Sequence, residues 1–516
     1  GIEFVTLTGA SATDDLALQG TLDNDTITLG SNLASVNDRA SVTFSSFDDV
    51  SLLGLDGDDT LTVDPTSLAG VTTVAVIGGV GQDSLHVLGS GGADAIGFAP
   101  TSSTAAAVTI TGAATTNITG TELLLIDGAE GNDTLTVTTP AGATTTSLTS
   151  GATIDSGDIQ VASLLAMSFE NLGTTGSVVL DDADAVADDT LVYIGSGSDD
   201  SFGLSTTGIV SLNSQVSVDV AADVATLTLD GLDGDDTFAV TAGHGIGTVN
   251  LSGGGPSASD MANLTTDGTA VTVALSDPAS VSGGGLGTIN LPGIEQVNLD
   301  AASGDVAADG TTGDDTLSYA PTGSDAGTIA VDGLNTGFSL SNVGSLTIDT
   351  AAGTDLVTVL GNVSDNTIGV IRAANTSVTV DALQAADIVS ASTEHLVVSA
   401  GLGDDITNVS GSGGPELTID GGGNSDTLNM TNTAAGTTTV SPGSTSDSGS
   451  IQTPDTANTT SFAGIEFVTL TGASATDDLA LQGTLDNDTI TLELNLASVN
   501  DRASVTFSSF DDVSLF

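Results

Sequence analysis

Pairs of aspartates at the start of a β-prone run recur along this chain: Asp58–Asp59, Asp199–Asp200, Asp235–Asp236, Asp314–Asp315 and Asp404–Asp405. Adjacent carboxylates support three kinds of chemistry. They can ligate a hard divalent cation, which takes six to eight oxygens at flexible geometry. They can act as the acid and nucleophile of glycoside hydrolysis. They can also accept backbone N–H bonds in tight turns, beside glycines that supply φ > 0. The pairs close Gly/Asp phrases such as GLDGDD, and related phrases (GAEGND, GGVGQD, GGGNSD) end on one aspartate; the single acids are Asp25, Asp83, Asp133, Asp260, Asp355, Asp426 and Asp488. A formula repeated throughout a chain argues for turn structure or ion binding over a unique catalytic dyad. The candidate metal ligands are therefore all of these aspartates, paired and single.

Other chemistry has little raw material. The histidines are His86, His244 and His395, and the basic residues are Arg39, Arg372 and Arg502, with no lysine. Acidic polysaccharide substrates need a basic groove, which three scattered arginines do not make. His86 alternates with Leu85 and Val87 and is expected to face outward from a strand, as a solvated side chain. Threonine strands such as TITL and TLTV would suit a flat ice-binding ladder only with regular register, and otherwise suit any exposed strand. Sequons such as Asn117-Ile118-Thr119 leave glycosylation open. No enzyme activity is expected.

The elements that carry these turns follow from composition. Of 67 acidic residues 58 are Asp, the formal charge is −64, Gly occurs 66 times and aromatics make up 3%. Such charge repels nucleic acid and anionic membrane surfaces. Gly, Asp, Thr, Ser and Val in these amounts predict many short strands joined by tight turns. No apolar run reaches the roughly 18–20 residues of a helical membrane span, and without cysteine there is no disulfide framework. Phrases such as VSLLGLDGDDTLTV (50–63), LTLDGLDGDDTFAV (227–240) and LTIDGGGNSDTLNM (417–430) read as strand, turn, strand, with apolar residues alternating on both arms.

Repeats act on two scales. Residues 1–52 return at 464–515 with changes at two positions, Gly30 to Glu493 and Ser31 to Leu494. The expected organisation is one unit over 1–463 and the start of a next copy over 464–516. Inside the unit, turn aspartates spaced 34–40 and 21–24 residues apart define about five degenerate modules starting near 1, 84, 180, 305 and 360. Apolar pairs three apart (FSSFDDVSL, ITGTELLLI, LPGIEQVNL, FAGIEFVTL) precede a strand and predict a core-plugging corner. A corner repeated before the same strand predicts an all-β fold, an elongated parallel β-solenoid of the β-helix type with degenerate repeats. Tandem β-sandwich modules are the alternative.

The Gly-x-Asp step followed by apolar-x-apolar, as at Gly81, Asp83, Leu85 and Val87, resembles the GGxGxDxUx nonapeptide of RTX, or haemolysin-type calcium-binding, repeats. The wider arrangement is similar to very large secreted bacterial repeat proteins. In the RTX family consecutive nonapeptides wind a parallel β-roll, and carboxylates and carbonyls of stacked turns coordinate calcium. The resemblance implies Ca²⁺ at the turn aspartates. RTX motifs follow every nine residues, whereas here they are usually 20–40 apart, so the family's coordination scheme does not transfer whole.

Together these features predict an extracellular or cell-surface structural protein. It would be a fibre, surface layer or matrix element whose partners are its own neighbouring units and divalent cations, with calcium stabilising or bundling it. The stalk of a large surface adhesin is the alternative. Neither nucleic acid nor insertion of this segment into a membrane is expected.

Overall fold

Alternation decides the local structure. A Val/Leu/Ile/Thr run with period two buries one face of a strand, and the turn residues between runs stop it every four to eight positions. The computed structural model describes all residues except 1–3, 12, 185, 221–223, 256–258, 455–458, 485–487 and 501. The described residues form short strands throughout, with one 3-10 turn at Pro65–Ser67. The strands belong to two mostly parallel sheets, of 27 and 25 strands. The fold is an all-β solenoid.

By internal contacts the chain divides into two compact units, residues 1–262 with 286–293, and residues 263–285 with 294–516. Both are built alike. Successive strands alternate between the sheets, and each lies parallel to its counterpart one coil away. In the first unit Leu61 and Val63 stack on Leu85 and Val87, while Val50 and Leu52 stack on Val74 and Val76. In the second, Leu396 and Val398 stack on Leu417 and Ile419. Like residues recur above like because each coil presents the same alternation, and all of these side chains are buried. Aromatics follow the same rule: Phe202 pairs in register with Phe238, their rings stacked at 5.3 Å with Tyr193 edge-on at 5.8 Å from Phe202.

The fold is not wholly parallel, and the exception explains the uneven spacing of the turns. At intervals one coil face is crossed three times by an antiparallel meander. In the first, Thr26–Gly30, Leu33–Val36 and Ser41–Ser45 run back and forth. The first strand lies parallel to Thr60–Val63 of the following coil and the last parallel to Phe4–Thr8 of the preceding one. Similar meanders use Ala95–Ser102 to Thr115–Thr119, Thr145–Ser150 to Met167–Glu170, Thr316–Gly323 to Gly337–Ser341 and Thr367–Arg372 to Ala386–Val389. A plain coil returns to the same turn after 21 or 24 residues, and one carrying a meander returns after 34–40. The long spacings are therefore plain coils with two extra strands.

The predicted corners exist. Ile118, Leu291, Ile294, Phe462 and Ile465 are buried where the chain leaves a strand for the next coil face.

Candidate functional site

Each turn of the Gly/Asp formula places its last residue at the start of the next strand. There the strand alternation points its side chain inward. Asp25, Asp59, Asp83, Asp133, Asp200, Asp236, Asp260, Asp315, Asp355, Asp405 and Asp426 are all buried, at 8% exposure or less, while Asp488 is half-buried. Their partners Asp58, Asp199, Asp235, Asp314 and Asp404 are exposed. Adjacent in sequence, the members of each pair diverge into different surroundings.

The buried members form a ladder. Asp59, Asp83, Asp133, Asp236, Asp260, Asp355, Asp405 and Asp426 each use Oδ1 to accept a backbone N–H from the turn one coil earlier. Asp25 N–H donates to Asp59 (2.7 Å), and Asp59 N–H to Asp83 (2.8 Å). Asp94 N–H donates to Asp133 (2.7 Å), Asp200 N–H to Asp236 (2.8 Å) and Asp236 N–H to Asp260 (2.7 Å). In the second unit Asp315 N–H donates to Asp355 (2.8 Å), Asn366 N–H to Asp405 (2.6 Å) and Asp405 N–H to Asp426 (2.8 Å). At a turn the sheet ladder lapses, so these N–H groups would otherwise be buried without a partner. The exposed members make a second ladder of opposite sense. Asp58 accepts from Gln82 N–H (2.8 Å), Asp199 from Asp235 N–H (3.0 Å), Asp314 from Thr354 N–H (2.8 Å) and Asp404 from Ser425 N–H (3.1 Å).

Where a meander and corner replace the next Gly/Asp turn, the corner glutamate takes over. Asp83 N–H donates to Glu122 (2.9 Å), Asp355 N–H to Glu394 (2.9 Å) and Asp426 N–H to Glu466 (2.7 Å). Sequence reasoning missed these three residues. Their signal was present: glutamate is rare in this chain, and Glu122 and Glu466 lie within the corner phrases ITGTELLLI and FAGIEFVTL.

The second carboxylate oxygen divides the ladder residues into two kinds. At turns that open certain meanders it is well partnered. Asp200 Oδ2 accepts Ser196 N–H (2.6 Å) while its Oδ1 takes the Asn213 amide (2.5 Å), and Asp315 Oδ2 accepts Thr311 N–H (2.8 Å). At Asn366 the pair is exchanged, with the asparagine in the ladder donating to Asp381 at 3.0 Å. Burial pushes the Asp25 carboxyl up, but the Thr21 N–H, the Asn37 amide and the Thr21 hydroxyl outweigh it, and it lies below the usual carboxylate range. Elsewhere Oδ2 is buried without a hydrogen-bond partner, at Asp59, Asp83, Asp133, Asp236, Asp355, Asp405 and Asp426. Desolvation, with neighbouring carboxylates adding to it, raises Asp59 and Asp405. It takes Asp133, Asp236 and Asp426 up from 3.8 to about 6.

The first glycine of the turn formula has its reason here. A Cβ at Gly54, Gly128 or Gly231 would overlap Oδ2 of Asp59, Asp133 or Asp236, five residues on. The second glycine, as at Gly57 (φ +118°) and Gly234 (φ +137°), bends the backbone through a region that side chains avoid.

At Asp59 and Asp236 Oδ1 is committed to a backbone N–H and Oδ2 is lodged against glycine, and the paired aspartates diverge. Among the described residues, the sets of three acid or histidine side chains with ligand atoms mutually within 4.8 Å are His86–Asp127–Glu170, Asp15–Asp48–Asp49 and Asp182–Asp184–Asp188. None contains a predicted turn ligand.

No protein-family model and no curated protein matches the chain.

Proposed function

We propose that this chain belongs to an extracellular structural protein whose 463-residue units stack end on end into a fibre, surface layer or matrix element. The carrying observation is the join inside the second unit. Among the described residues, those of 464–516, the start of the second copy, continue both sheets of the solenoid of residues 406–463. Thr427–Thr431 pairs with Phe467–Thr471, Met430 against Leu470, and Thr437–Pro442 pairs with Asp478–Leu481, Val440 against Leu481. The Arg502 guanidinium donates to the carbonyls of Gly443 and Thr445 across this join.

The second copy also repeats the internal register of the first. Phe467 opposes Ser504 as Phe4 opposes Ser41, and Ile490 opposes Val499 as Ile27 opposes Val36. A unit whose end accepts its own beginning in register needs no polar cap. Mechanical continuity then comes from sheet bonds, stacked apolar residues and the aspartate ladders.

Calcium enters this reading between chains rather than within turns. The exposed row of Asp58, Asp199, Asp235, Asp314 and Asp404, within a formal charge of −64, repels a neighbouring copy at low salt and is screened or bridged by divalent cations. Electron microscopy of the native material, with and without a chelator and beside a denaturing gel, tests the proposal. Filaments whose chains run far above 50.2 kDa, loosening from one another on chelation, are expected. Globular particles of one unit, indifferent to chelator, would refute it. Filaments capped by one binding domain would favour the adhesin stalk.

A further inference from the structure

We propose that His86, Asp127 and Glu170 form a binding site for a divalent metal ion of the zinc class, separate from the turn aspartates. The three residues lie on successive coils of one sheet, in Ser84–Leu88, Leu123–Asp127 and Met167–Glu170. Register sets them together: Leu125 opposes His86, and Asp127 lies between Leu88 and Glu170. One ligand atom from each is within 4.8 Å of the other two.

Two further observations point to a ligand. The imidazole Nε2 of His86 is shielded from solvent and has no hydrogen-bond partner, although the ring as a whole is about a third exposed. That nitrogen lies 3.5 Å from Asp127 Oδ2. A charge-assisted hydrogen bond would close to about 2.7–2.9 Å. Two ligand atoms about 2.0 Å from a shared tetrahedral zinc stand about 3.3 Å apart. The observed separation suits the shared ion better than the direct bond.

Asp127 is also held as a ligating carboxylate is held. Its Oδ1 accepts Ala129 N–H (2.8 Å) and the Asn171 amide (3.0 Å), which leaves Oδ2 turned toward the histidine. One imidazole nitrogen with two carboxylate oxygens favours zinc and its first-row neighbours over calcium, which takes oxygen ligands. Three protein ligands leave a fourth position for water. His86 also lines an open groove of about 660 Å³ with Leu123, Gln160 and Ser168, and the surrounding negative charge concentrates cations there.

The test is a Zn²⁺ titration of the metal-stripped chain by calorimetry, in excess Ca²⁺ and physiological salt to occupy the exposed carboxylates. Cobalt(II) absorption serves as the second readout. One tight equivalent per chain is expected, with intense visible bands for cobalt in a low-coordinate site. His86→Ala and Glu170→Gln should each weaken it by at least about tenfold, and the Asp58→Asn control should not. All three substitutions are on outward-facing positions, and circular dichroism checks that the strands persist. Equal zinc binding by the parent and His86→Ala, or no tight equivalent in excess calcium, would overturn the proposal.

Discussion

Replacing Asp236 by asparagine should make its coil more stable at neutral pH and erase most of its pH dependence. In the native state burial holds this carboxyl at about 6, against 3.8 for the unfolded chain. Between those values the folded form keeps a proton that the unfolded form has released. Stability is therefore full below the unfolded value, declines as pH rises through the native one, and is flat above it. A shift of about two units corresponds to about 3 kcal/mol, or about a hundredfold in a local opening equilibrium. Asparagine preserves the carbonyl that accepts the Asp200 N–H and puts an uncharged amide where Oδ2 lies against Gly231. Asn366 already stands at a ladder position, although there its amide has Asp381 to donate to. Because long solenoids need not unfold in one step, native-state hydrogen exchange at the Asp200 amide and the strand Thr237–Thr241 is the suitable assay. After correction for intrinsic rates, the parent should be about a hundredfold better protected near pH 3.5 than near pH 7.5, and Asp236→Asn should show little difference. If the parent is equally protected at both, or the substitution lowers protection at neutral pH, the carboxylate is ionised and satisfied by something else. Loss of protection on adding a chelator would identify that as a metal.

Three further substitutions separate the parts of the turn. Gly231→Ala should destabilise its coil by about 1–3 kcal/mol through overpacking against Oδ2 of Asp236, lowering exchange protection in the same strand; a neutral result would refute the close-approach argument. Asp59→Ala should cost about 1–3 kcal/mol because the buried Asp25 N–H loses its acceptor. Asp58→Ala, on the exposed row, should cost well under 1 kcal/mol. Equal losses in a paired comparison of denaturant midpoints would mean that the two rows are not the separate ladders described.

Much of the fold was legible because it rests on local rules. Strand alternation marks which side of LTLDGLDGDDTFAV is buried, and Leu227, Leu229, Phe238 and Val240 are indeed in the core. The meanders were not legible, because Leu33–Val36 and Ser41–Ser45 alternate as any strands do. Only their pairing partners, one coil ahead and one behind, make them a reversal. The turn aspartates were recognisable as a set, but an Asp-Asp pair in sequence says nothing about which carboxylate a turn buries.

By itself the sequence determined the strand periodicity, the Gly/Asp punctuation, the repeated 52 residues and the excess of charge, since each depends on residues near one another in the chain. The tertiary structure alone decided what bonds to what between coils. Asp59 receives the N–H of Asp25 from 34 residues away, Glu122 substitutes for an aspartate after a meander, and His86 comes to face Asp127 across 41 positions of sequence. Those partners are set by parallel register. Register comes from the summed packing of whole coils, and no local pattern encodes it.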